Sequence, residues 1–74
     1  MKKYILTITG KATRYIESGV EAYTQFNEEV AIIKSQAASY RKTAKPGARL
    51  EVKLERQDDY SCPKEIVDQY IVVF

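Results

Sequence analysis

Two periodicities divide the chain. From Ala48 to Arg56 apolar and polar residues alternate strictly: Leu50, Val52 and Leu54 point one way, and Arg49, Glu51, Lys53 and Glu55 the other. A period of two marks a strand with one buried face. Between Asn27 and Lys45 the period lengthens, and Val30, Ile33, Ala37 and Tyr40 fall on one stripe at helical spacing. The stripe predicts an amphipathic helix over about 28–44. Asn27 can accept a hydrogen bond from the free N–H groups of a first turn. Glu28 and Glu29 suit the positive end of the helix dipole, and Arg41, Lys42 and Lys45 suit its negative end. Pro46-Gly47 then stops the helix.

Tyr4 to Thr9 is β-branched and aromatic, bounded by Lys2-Lys3 and Gly10, and predicts a strand with Tyr4, Leu6 and Ile8 facing inward. Gln57 to Lys64 carries Asp58-Asp59, Ser61 and Cys62-Pro63 and predicts a loop. Glu65 to Phe74 predicts a last strand, whose end, Tyr70-Ile71-Val72-Val73-Phe74, is apolar on both faces.

Residues 11–26 admit two readings. In the first, Lys11 to Gly19 is a long turn and Val20 to Phe26 a second strand with Val20, Ala22, Thr24 and Phe26 inward. In the second, Ala12 to Glu17 is the strand and the helix begins just after Ser18. Ser18 and Glu21 have capping-box spacing, and Tyr23 and Phe26 extend the stripe. The first is preferred, because the longer helix carries Thr24 and Asn27, poor helix formers, in its interior.

Either reading gives one small α+β domain of order β-β-α-β-β: a four-stranded, mainly antiparallel sheet with one amphipathic helix on one face. The strand order can be 2-1-3-4, all antiparallel, or 2-1-4-3, with a parallel centre. A strand buried on one face should alternate. The last one does not, and the chain has no second helix to cover the other face.

Length sharpens this picture. A chain of 74 residues is a single domain, and at such a size only about 60% of the unfolded surface is buried. One helix on one sheet leaves little room for a substrate cavity of several hundred Å³. The net charge of +2 is too small to imply nucleic acid by itself. A single cysteine forms no internal disulfide, and no apolar run has the length of a signal peptide or membrane span, so a reducing, cytoplasmic setting is expected.

Candidate chemistry is sparse. Without histidine, the Ser-His-Asp and Cys-His arrangements and the His-Cys metal patterns cannot be written. Neither a dinucleotide-binding nor a phosphate-binding glycine loop occurs. Asp58-Asp59 reads as a solvated turn, Glu28-Glu29 as a dipole-matched first turn, and Cys62 as an inert loop thiol. No catalytic residue, metal site or cofactor is expected, and the chain is read as a non-enzyme.

The leading expectation is a protein–protein interaction module, either a homodimer or a small adaptor or inhibitor. Ile71 and Val73 lie on the opposite side of the last strand from Tyr70, Val72 and Phe74, and are expected in the contact. Of the six tyrosines, Tyr4, Tyr40 and Tyr70 are assigned to the core. Tyr15 and Tyr60, placed in two loops, join the interface candidates, since tyrosine gives contact area at low entropic cost. The alternative is a nucleic-acid-binding module that grips phosphates with Lys34, Arg41, Lys42, Lys45, Arg49 and Lys53, around Tyr40. A third reading, a small phage or mobile-element protein that blocks a host defence complex, fits the size but rests on no particular residue.

Overall fold

The computed structural model describes residues 2–74. The elements run β1 (Tyr4–Ile8), β2 (Arg14–Ile16), α1 (Gly19–Tyr40), β3 (Arg49–Arg56) and β4 (Glu65–Val73). The four strands form one antiparallel sheet of order β2-β1-β3-β4, with α1 on one face. This is the β-β-α-β-β domain expected, in the all-antiparallel strand order.

The expected helix bounds of 28–44 are corrected at both ends. The helix begins at Gly19, and Ser18 is its N-cap, with extended backbone and a side-chain oxygen accepting from the Glu21 N–H at 3.3 Å. Residues 20–26 are therefore helical, and the second strand is the short Arg14–Ile16. The poor helix formers cost little where they sit. Thr24 and Asn27 are on the exposed side, and the Thr24 hydroxyl donates to the Val20 carbonyl at 2.8 Å. At the other end the helix stops at Tyr40, and Arg41 is its C-cap. The N–H groups of Lys42, Thr43 and Ala44 fold back onto the Ser39 and Tyr40 carbonyls, satisfying acceptors that a helix end leaves open. Arg41, Lys42 and Lys45 thus lie beyond the last turn.

Leu6, Ile8, Ile16, Val52 and Leu54 from the sheet meet Ala22, Phe26 and Ile33 from the helix in one buried cluster. Leu6, Val52 and Leu54 are fully enclosed, as expected for the two central strands. Gly19 allows a close approach to β1: the Tyr4 hydroxyl lies 2.9 Å from where a Cβ would stand.

One stripe position is charged. Glu29 is 3% exposed, on the line of Ala22, Phe26, Ile33 and Ala37. Its carboxylate accepts from Lys11 Nζ at 2.6 and 3.2 Å, and the Arg14 guanidinium lies 3.6 Å away. Both cations come from the β1–β2 hairpin. Glu29 therefore clasps the hairpin to the middle of the helix and is no first-turn residue, because the helix starts ten positions earlier, at Gly19.

Candidate functional site

The helix packs over β1, β2 and β3, and β4 lies outside them at the sheet edge. Val67, Tyr70 and Val72 reach the core cluster only in part. Above them Lys34, Ala37, Ala38 and Arg41 line an open groove of about 220 Å³ between helix and strand. The Lys34 ammonium stands 5.4 Å from the centre of the Tyr70 ring, within cation–π range. Tyr40 is 44% exposed and makes an edge-to-face contact with Phe74, so it is not the buried core residue expected.

On the opposite face the sheet has no helix, yet it is not bare. Ile5 points that way, between Tyr15 and Glu55, and is only 5% exposed. Long side chains on β3 roof the middle of this face. Arg49 pairs with Glu51 at 3.6 Å, Lys53 with Glu55 at 3.7 Å, and Gln69 donates to Glu51 at 2.7 Å. Apolar surface survives at the margins. Along β4, Ile66, Ile71 and Val73 are 56%, 38% and 64% exposed.

The strand's own backbone decides what its outer edge offers. The Phe74 N–H donates to the Ala48 carbonyl at 2.9 Å, and its carbonyl accepts from the Gly47 N–H at 2.7 Å, so both groups point toward β3. Backbone direction alternates along a strand. Tyr70 and Val72 therefore also face β3, while Gln69, Ile71 and Val73 face outward. Among the described residues no backbone partner meets the outward groups of these three. The Gln69 N–H alone is occupied, by the Asp68 carboxylate at 2.8 Å. A bulge opposite Leu54/Glu55 and the charges of Glu65 and Asp68 interrupt the first half of the strand. Bulges and charges are the usual protection of a sheet edge. The second half, Tyr70 to Val73, has neither.

The interface candidates do not all meet. Ile71 and Val73 are neighbours on the uncovered side of β4, as expected. Tyr15 belongs to β2, not to a loop, and lies on that same side at the far edge of the sheet. Tyr60 is 83% exposed in the β3–β4 turn, beyond the opposite end of β4.

The cations divide as well. Lys34 and Arg41 line the groove on the helix side. Lys42 and Lys45 are exposed in the turns after the helix. Arg49 and Lys53 sit on the other face, each beside a glutamate. In the β3–β4 turn, Asp58 is 3.5 Å from Arg56, the Asp59 carboxylate accepts from the Ser61 N–H at 3.2 Å, and Cys62 is an exposed free thiol. A depression of about 710 Å³ is lined by Thr9, Ser35, Gln36, Ser39, Tyr40, Thr43 and Leu50, with no carboxylate or cation among them. Among the described residues no helix is long and apolar enough to cross a membrane.

No protein-family model, curated protein or solved structure matches the chain. The margin of β4 was half legible in the sequence. Loss of alternation marked Ile71 and Val73, but the open backbone edge depends on strand order, which the sequence left undecided.

Proposed function

We propose that the chain is a non-enzymatic protein–protein interaction module that works through the open second half of β4 and associates with itself. One observation carries the reading: the outward backbone groups of Ile71 and Val73 have no partner, on a strand segment whose side chains are apolar on both faces. An exposed strand edge is a template for another strand, with backbone hydrogen bonds for affinity and alternate side chains for selectivity. The nucleic-acid reading draws less support, because Arg49 and Lys53 stand on a different face from Lys34 and Arg41 and are paired with glutamates.

Sedimentation velocity from low to high micromolar concentration tests the reading. The expected result is a concentration-dependent dimer that Val73→Lys and Ile71→Lys each convert to a folded monomer. A wild-type chain that stays monomeric throughout overturns it.

A further inference from the structure

Resting on that reading, we infer that the occupant of the β4 edge is β4 of a second copy, paired antiparallel about a two-fold axis at Val72. The backbone narrows the choice of register. In the half of β4 past the bulge, Ile71 and Val73 present both an unoccupied N–H and an unoccupied carbonyl outward, whereas the Gln69 N–H is held by Asp68 at 2.8 Å. Setting Ile71 opposite the second copy's Val73 matches every one of these groups. Each such pair exchanges two backbone hydrogen bonds, and the two-fold axis supplies the second pair. A register centred on Ile71 sets Val73 against Gln69 and leaves the Val73 carbonyl without its donor unless Asp68 lets go.

Side chains select the same arrangement. Tyr70-Ile71-Val72-Val73-Phe74 reads aromatic, β-branched, β-branched, β-branched, aromatic in both directions. Centred on Val72, it sets Tyr70 against Phe74 and Val72 against itself on the helix side, and Ile71 against Val73 on the other. Aromatic and β-branched cross-strand pairs are the stabilising ones. Centred on Ile71, it sets the polar Gln69 against Val73. Glu65 and Asp68 stay outside the paired segment in the Val72 register, so no like charges of the two strands are brought face to face.

Cysteine crosslinking distinguishes the registers. In a Cys62→Ser background, single variants Ile71→Cys, Val72→Cys and Val73→Cys are oxidised mildly and the covalent dimer is followed with time. Only the residue on the axis brings two identical Cβ atoms within bridging distance, so Val72→Cys should crosslink about tenfold or more faster than the other two. Because Val72 is half-buried, a second measurement uses the exposed sites. A mixture of Ile71→Cys and Val73→Cys chains should crosslink as a heterodimer faster than either chain alone. If Ile71→Cys or Val73→Cys alone crosslinks fastest, or the mixture shows no preference while sedimentation still finds a dimer, the Val72 register is overturned and the self-association reading survives. If the Cys62→Ser chain does not dimerise at all, both fall.

Discussion

Removing Lys11 should harm the fold more than removing the buried acid that it serves. Glu29 has 4% of its side chain exposed, whereas Lys11 and Arg14 keep 42% and 41%. The two sides of the clasp therefore respond differently to truncation. Lys11→Met strips the closest cation and leaves an enclosed carboxylate facing one guanidinium at 3.6 Å. Breaking a fully buried pair costs about 3–5 kcal/mol; with Arg14 still present and Lys11 half in water, about 2–3 kcal/mol is expected here. Glu29→Met instead places an apolar side chain among apolar neighbours and frees two cations that already reach solvent. That change should fall within about 1 kcal/mol of wild type. The difference is measurable, because a domain of this size holds about 4–11 kcal/mol in total and each kcal/mol moves its midpoint by about 4–8 °C. Urea unfolding followed by circular dichroism gives both values. The double variant should resemble Glu29→Met alone, a non-additivity expected of residues in contact. If Lys11→Met proves no more damaging than Glu29→Met, the carboxylate is not held as described.

Three further outcomes follow from the same geometry. Ser18→Ala removes the bond to the Glu21 N–H and should cost about 1 kcal/mol in urea unfolding, with helix content at 25 °C nearly unchanged. Gly47 has φ +87° and open space where a Cβ would stand, so Gly47→Ala should cost about 1–2 kcal/mol through backbone strain alone in the same assay. Pairing about Val72 brings the Lys34 and Arg41 groove of each copy toward that of the other, so added salt should screen like charges and tighten self-association in sedimentation. Binding to a nucleic acid would weaken with salt instead, and an oligonucleotide shift at low salt that fades on salt addition would move the alternative reading to the front.

The sheet was more legible than the helix. β3 showed itself by strict alternation because one of its faces meets water-reaching charges. β1 showed itself by β-branched and aromatic residues between Lys2-Lys3 and Gly10. The helix start was visible in the spacing of Ser18 and Glu21 and in Tyr23 and Phe26, but Thr24 and Asn27 argued against it by propensity. Propensity lost because both residues face outward, where nothing is packed against them. Glu29 concealed the true stripe more thoroughly. A carboxylate at a core position reads as a surface residue until its partners are known, and Lys11 and Arg14 lie fifteen or more positions away in sequence. The only available hint was its place three residues after Phe26 and four before Ile33. The open edge of β4 was out of reach for another reason. Apolar residues on both sides of a strand suit a central position as well as an exposed margin, and only pairing decides between them.

The position of β1 has a bearing on how the chain comes to be folded. It lies between β2, its immediate successor, and β3, which pairs Leu54 with Leu6 across forty-eight positions of sequence. During synthesis the first hairpin can close early, but its oily inner strand keeps one flank unsatisfied until β3, which follows the helix, has been made. Ring closure of that size is entropically slow. The helix, complete before β3 emerges, is the natural temporary shelter for Leu6 and Ile8. A nascent chain halted before Arg49 should therefore be far more prone to clumping than one released after Arg56.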